Sequence, residues 1–112
     1  MMSPKFLTAA AFAALLAATA ARADELPLYT LTAKDGRFEP ATIEVTAGQK
    51  FRVEVVNAGS SAIEFESKPL RKEKVIAAGA RATIDFQPLK AGSYRFFDEF
   101  HEKTGQGEIV AR

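Results

Sequence analysis

The chain contains no cysteine among its 112 residues. Small exported domains commonly rely on disulfides, so a domain of this size must here obtain its stability from packing or from a bound ion. The same absence excludes a thiol nucleophile, a thioredoxin-type redox pair, an iron–sulfur cluster and a thiolate zinc site. Any metal site in this chain is therefore built without a thiolate.

Histidine is nearly absent as well, since His101 is the only one. No serine stands in a nucleophile-elbow pattern, which argues against a Ser-His-Asp hydrolase. Phosphate-binding loops and dinucleotide fingerprints are also missing. The 15 basic and 14 acidic residues nearly cancel, so the strong positive field that nucleic-acid binding needs is absent.

The one long apolar run is confined to the N-terminus. A positive charge at Lys5, an apolar segment over residues 6–20 and a small-x-small site ending at Ala23 are typical of a secretory signal peptide. The run is shorter than the ~20 residues of a membrane-spanning helix. We therefore expect a signal peptide at residues 1–23, one domain at residues 24–112 and a periplasmic location. Two of the 15 basic residues, Lys5 and Arg22, lie in the expected signal peptide. The expected domain therefore has one more acidic residue than basic residues.

Beyond residue 23, short apolar strands alternate with turn signals roughly every 10 residues, as in a sandwich or barrel. The clearest strand contains Phe51, Val53 and Val55, which alternate with Arg52 and Glu54. This period of two places one face of the strand in a core and the other in water. The pattern predicts an all-β domain.

The residues that could bind a metal lie on two of these strands. An aromatic strand ends in Asp98, Glu99 and His101, while Glu64 and Glu66 stand two apart on the strand expected to be its neighbour. Carboxylates with one imidazole form a hard, anionic donor set, which suits iron, manganese or copper(II) rather than copper(I). We predict a metal site formed by Glu64, Glu66, Asp98, Glu99 and His101.

Each of these residues also has a plain structural explanation. His101 could hydrogen-bond a backbone carbonyl at the rim, and the acids could be solvated residues of a strand end or strand face. Basic residues follow the first two acids, where residues 69–74 read as a charged connection with room for one helical turn. Lys68, Arg71, Lys72 and Lys74 form either ordinary solvated surface or a docking patch for an acidic partner.

Several sequence pieces, taken in their order along the chain, resemble the cupredoxin-like domains. They are Phe38-x-Pro40 before Ile43-x-Val45, Ala47-Gly48-Gln49 before the Phe51/Val53/Val55 strand, Asn57, Gly92-Ser93-Tyr94-x-Phe96, and His101 with Gly107-x-Ile109-Val110. The resemblance implies a Greek-key β-sandwich of about seven to eight strands.

The same resemblance implies where copper ligands would stand. A blue-copper member of the family would use a histidine after the Asn57 loop, then a cysteine, a histidine and a methionine from the last loop. Residue by residue, these positions fall on Ile63, Asp98, His101 and Gln106, and only His101 matches. A type 1 copper centre needs a soft thiolate, so it is not expected here.

Two segments resemble a narrower branch, the periplasmic cupredoxin-like components of bacterial Ftr/Efe-type iron-uptake systems. They are Glu64-Phe65-Glu66-Ser67 and Phe97-Asp98-Glu99-Phe100-His101. The resemblance implies a protein that binds iron and supports ferrous iron oxidation or delivery to a high-affinity iron permease of the inner membrane. Anionic oxygen ligands stabilise Fe(III) over Fe(II) and so favour oxidation.

Ferroxidase-like activity would also need an electron acceptor, and no flavin, haem or cluster motif is visible in the sequence. A partner, a copper ion or dioxygen would have to take the electron. Two other functions stay open: a copper(II) carrier or redox partner, and a metal-free interaction module. A homodimer is left open too.

Overall fold

The computed structural model describes residues 25–112, and the expected signal peptide at residues 1–23 lies outside them. This part of the chain forms strands and one short 3₁₀-helix: β1 (Leu28–Lys34), β2 (Arg37–Glu39), β3 (Thr42–Val45), β4 (Phe51–Asn57), β5 (Ile63–Ser67), β6 (Lys72–Ile76), β7 (Arg81–Phe86), β8 (Gly92–Asp98), the 3₁₀-helix Glu99–His101 and β9 (Gln106–Ala111). Over residues 25–112, no helix has the length and apolar character needed to cross a membrane.

The strands form two sheets. One sheet has the order β2-β1-β4-β7, and the other has the order β3-β9-β8-β5-β6. β1 runs parallel to β4 and β3 runs parallel to β9, whereas the other pairs are antiparallel. The predicted all-β sandwich is confirmed.

Alternate residues of the two sheets meet in an apolar core. Phe51, Val53 and Val55 are buried, as their alternation predicted. Beneath β5 and β8, the rings of Phe65 and Phe96 stack with centroids 5.1 Å apart. Such aromatic packing stabilises a sheet beyond the area that it buries. It fixes the two strands that carry the candidate ligands.

Residues 25–112 contain nine strands rather than the expected seven to eight, because neither the three-residue β2 nor β6 was recognised in the sequence. The turn of helix considered for residues 69–74 is wrong, since the chain enters β6 at Lys72. β6 lies at the edge of its sheet, and Ile76 is its only buried residue. An edge strand of this kind lacks the apolar alternation by which a strand is recognised in a sequence.

Two lysines of β6 project on the side of the sheet that faces the sandwich interior. Lys72 and Lys74 pair with buried residues of β5, and paired residues of an antiparallel sheet share a face. The Nζ atom of Lys72 lies 5.6 Å from the ring centroid of Phe86, on the opposite sheet. The basic residues grouped in the sequence are therefore divided, with these two at the edge and Lys68 on the outer face.

Candidate metal site

Three acidic side chains converge on the outer face of the five-stranded sheet. Along β5, Glu64 and Glu66 alternate with the buried Phe65, so both point away from the core. Phe65 stands opposite Asp98 of β8, and one further step of this register places Glu99 beside Glu64. Carboxylate oxygens of Glu64, Glu66 and Glu99 all lie within 4.8 Å of one another. We call these three residues the acidic triad.

Two acids of the triad, Glu64 and Glu66, have a raised pKa. The pKa of Glu64 rises from 4.5 to about 7, first because burial disfavours its charged form and then through the hydrogen bond and repulsion from Glu99 and Glu73. The pKa of Glu66 is also raised, first by a hydrogen bond to Glu99 and then by burial. Near neutral pH Glu64 is therefore partly protonated, and a bound cation would displace its proton.

Glu73 is a fourth acid beside the triad, and the sequence analysis did not single it out. It stands directly opposite Glu66 in the β5–β6 pair, and its charge raises the pKa of both Glu64 and Glu66. It was missed because β6 was not recognised as a strand. The alternation of Lys72, Glu73 and Lys74 was the available signal.

The other two predicted ligands, Asp98 and His101, bind each other. Nδ1 of His101 lies 2.7 Å from Oδ2 of Asp98. Asp98 is only 2% exposed, and its Oδ1 accepts hydrogen bonds from the backbone N–H groups of Glu64 and Phe100, each 3.0 Å long. In the tautomer whose Nδ1–H donates to the carboxylate, Nε2 of the His101 ring keeps its lone pair.

Asp98 thereby positions the backbone on both sides of the triad. It bonds to Glu64 itself, and as the N-cap of the 3₁₀-helix it bonds to the residue after Glu99. The five predicted ligands thus form two groups. One is the acidic triad, whose carboxylate oxygens lie close together, and the other is the hydrogen-bonded Asp98–His101 pair. Within residues 25–112, the triad is the only group of three or more acidic or histidine side chains whose ligand atoms come this close.

Two glycines and a threonine enclose the Asp98–His101 pair. Thr104 Oγ1 donates a 2.6 Å hydrogen bond to the carbonyl oxygen of Gly36, in the β1–β2 turn. A Cβ atom on Gly36 would lie 3.4 Å from Cδ2 of the His101 ring, and one on Gly105 would lie 2.8 Å from Cβ of Asp98. The sequence analysis did not single out these two glycines, because their closeness to Asp98 and His101 arises only in the folded chain.

The residues at the implied type 1 copper positions do not fit that centre. Asp98 stands at the cysteine position, and both of its oxygens are already hydrogen-bonded. Ile63, at the first histidine position, is a buried core residue. Gln106, at the methionine position, is turned outward, since its side chain bonds to Arg95 and to the carbonyl oxygen of Glu102. The soft donors of a type 1 copper site are therefore absent from the positions that would supply them.

Sequence comparison finds relatives across nearly the whole chain. A family model described as "Cupredoxin-like domain" matches residues 6–111. An uncharacterized protein of Rickettsia prowazekii (strain Madrid E) is 39% identical over 87 residues, which cover 78% of this chain and 70% of that protein.

Several solved structures share the fold at low sequence identity. The metal-binding domain of the Cu(I)-exporting P-type ATPase CopA of Streptococcus pneumoniae D39, solved with Cu(I), has a TM-score of 0.68 at 20% identity and covers 76% of this chain and 84% of that chain. Auracyanin A, a blue copper protein of Chloroflexus aurantiacus, has a TM-score of 0.68 at 12% identity, with coverages of 79% and 100%. Amicyanin of Paracoccus versutus has a TM-score of 0.60 at 14% identity, with coverages of 82% and 88%. This likeness confirms the predicted Greek-key β-sandwich.

Proposed function

Because the chain belongs to the cupredoxin-like domain family and has no cysteine for a type 1 copper site, we propose that it is an exported periplasmic protein that binds iron. The observation that carries the proposal is the convergence of the acidic triad, with carboxylate oxygens of Glu64, Glu66 and Glu99 within 4.8 Å of one another. Anionic oxygen donors suit hard cations. The Asp98–His101 pair supports this site by holding the backbone around it.

The electrostatic environment of the triad favours binding of a cation. Burial and the neighbouring acids raise the pKa of Glu64 to about 7, so the triad cannot easily carry its full negative charge alone. A cation bound between the three carboxylates displaces the proton of Glu64 and offsets the repulsion between the acids. The same charges attract a cation from solution before it is bound.

The oxidation state of the cargo follows from the donor set. Several anionic oxygens stabilise Fe(III) more than Fe(II), which favours loss of one electron from bound Fe(II). That electron passes to dioxygen, to a copper ion or to a partner protein, so oxidation by this chain is ferroxidase-like only together with an acceptor. The segments around Glu64 and Asp98 that resemble iron-uptake components support delivery of the iron to an inner-membrane permease.

Calorimetric titration with Fe(II), with dioxygen excluded, tests the site. Glu64→Gln and Glu99→Gln should each weaken iron binding by about tenfold or more, because each removes one charged ligand while keeping the side-chain shape. Glu39→Gln is the matched control, since Glu39 is an exposed acid of β2 in the other sheet. Its iron affinity should equal that of the parent.

Two results would contradict the proposal in different ways. If Glu64→Gln and Glu99→Gln bind iron as tightly as the parent, the triad is not the site. If the parent binds neither Fe(II) nor Fe(III), the iron proposal fails, and if it does not bind copper(II) either, the metal-free interaction module becomes the better explanation of its function.

Copper(II) binding is the second candidate, and one observation favours it. Asp98 orients the His101 ring through Nδ1, an arrangement that prepares the other ring nitrogen to bind a metal. Imidazole is a good ligand for copper(II). Under this alternative, the protein is a copper(II) carrier or a redox partner that uses His101 with nearby acids.

Competition between the two metals separates these functions. His101→Ala should weaken copper(II) binding strongly and Fe(II) binding weakly if the two ions use different ligands. Glu64→Gln should show the reverse order. If His101→Ala leaves the copper(II) affinity unchanged, the copper alternative fails.

A further inference from the structure

A groove lies beside the acidic triad on the outer face of the five-stranded sheet. Its volume is about 360 Å³, within the ~300–1,000 Å³ of small-molecule pockets. The residues that line it are Lys68, Pro69, Arg95, Phe97, Glu102 and Gln106. Nothing in the proposed iron site uses this groove.

Two cationic side chains, Lys68 and Arg95, line the groove, and each contacts a neighbouring side chain. Arg95 Nη2 donates a 2.8 Å hydrogen bond to Gln106 Oε1, and Gln106 Nε2 donates a 2.8 Å hydrogen bond to the carbonyl oxygen of Glu102. The Nζ atom of Lys68 lies 5.9 Å from the ring centroid of Phe97. Within residues 25–112, neither Lys68 nor Arg95 forms a salt bridge with a carboxylate. An organic anion would find two positive donors and an aromatic floor here.

The groove and the triad adjoin each other. Phe97, in the groove, is the register partner of Glu66, in the triad. Lys68, which lines the groove, follows Glu66 of the triad by two residues along the chain. A ligand that carries carboxylates and a bound metal ion could therefore meet cationic and anionic groups at once.

We propose that this groove binds a small organic polycarboxylate of the citrate class, so that the metal reaches the triad as its carboxylate complex. This inference rests on the proposed iron site for the identity of the cargo, but the groove can be tested without metal. Carboxylates suit the groove because the guanidinium of Arg95 and the ammonium of Lys68 both donate charge-assisted hydrogen bonds. Phe97 gives the carbon chain of the ligand an apolar surface.

Calorimetric titration of the metal-free protein with citrate tests the groove directly. Lys68→Ala and Arg95→Ala should each weaken citrate binding by about tenfold or more, equivalent to ~1.4 kcal/mol. Glu102→Gln should tighten it, because Glu102 is the one acid among the lining residues. Lys50→Ala and Arg37→Ala are matched controls, since both are exposed cations outside the groove, and both should bind citrate as the parent does.

The outcomes separate the groove from the iron site. If the metal-free parent does not bind citrate, or if the controls lose affinity as much as Lys68→Ala and Arg95→Ala do, the groove proposal is overturned, whatever the iron titrations show. If citrate binds as expected but Glu64→Gln does not weaken Fe(II) binding, the groove survives and the iron site fails. Equal affinity for citrate and for a short acidic peptide would overturn the small-molecule assignment in favour of a protein partner.

Discussion

Burial of Glu64, together with the neighbouring acids Glu99 and Glu73, makes the stability of the metal-free protein depend on pH. Its pKa in the folded protein is raised to about 7 from the ordinary 4.5, so folding favours the protonated form. Below the lower value both the folded and the unfolded chain hold the proton, and the full stability is present. As the pH rises from about 4.5 to 7, the unfolded chain releases its proton first, and this contribution to stability is lost.

Glu64→Gln should therefore make the metal-free protein more stable than the parent at about pH 8, because glutamine stays neutral. The difference should shrink towards about pH 5, where the parent is protonated as well. Urea unfolding at both pH values measures this, with Glu39→Gln as the variant that should not change the pH dependence. Parallel stability curves for Glu64→Gln and the parent would show that folding does not raise the pKa of Glu64.

At the scale of residues, the structure brings three of the five predicted ligands together and pairs Asp98 with His101, an arrangement that the sequence did not show. Alternation around Phe65 places Glu64 and Glu66 on one face, and that much follows from the period of a strand. The sequence does not show that the chain turns into a 3₁₀-helix after Asp98. That turn leaves Asp98 buried against His101 and sends Glu99 outward to the triad. Whether all five residues bind one ion stays a prediction.

At the scale of elements, the close packing of β8 against β9 depends on Gly107. Gly107 is the register partner of Phe96, and a Cβ atom there would lie 2.5 Å from Cζ of that ring and 2.6 Å from the carbonyl oxygen of Ala41. The ring is buried and the carbonyl belongs to the backbone, so neither can move freely. The site depends on this packing because β8 leads directly into Asp98 and Glu99.

Gly107→Ala should lower the free energy of unfolding by about 3 kcal/mol, at the upper end of ordinary overpacking. Gly79→Ala is the matched control, since Gly79 has a positive φ of 76° but no atom within 4 Å of a Cβ position. It should cost only about 1 kcal/mol, from backbone strain. Chemical denaturation of both variants gives the comparison, and equal losses would show that Phe96 does not resist the added methyl group.

The elements that could be predicted are those with one buried face. β4, β5, β7, β8 and β9 each show apolar residues at alternate positions, and the sequence located all of them. The sequence analysis also expected β5 and β8 to be adjacent strands, and they pair in the structure. β6 was not predicted, because its charged residues are exposed on both faces at the edge of a sheet. Such a strand has no alternation of apolar and polar residues in its sequence.

At the scale of the whole molecule, binding of a cation to the triad should stabilise the fold. A ligand present at a hundred times its dissociation constant adds about 2.7 kcal/mol to the free energy of unfolding. Because the proton on Glu64 competes with the cation, this gain should be larger at about pH 8 than at about pH 6. Thermal unfolding with and without Fe(II), with dioxygen excluded, measures it at each pH. An equal gain at both pH values would argue against a carboxylate site that titrates near neutrality.

The lysines of β6 affect how copies of the protein can associate at high concentration. Pairing of β6 with a strand from another molecule would remove water from the ammonium groups of Lys72 and Lys74. Fibre growth from this border is thereby discouraged, even though its backbone groups lie open. Edge-to-edge pairing of two copies through β6 would therefore be disfavoured.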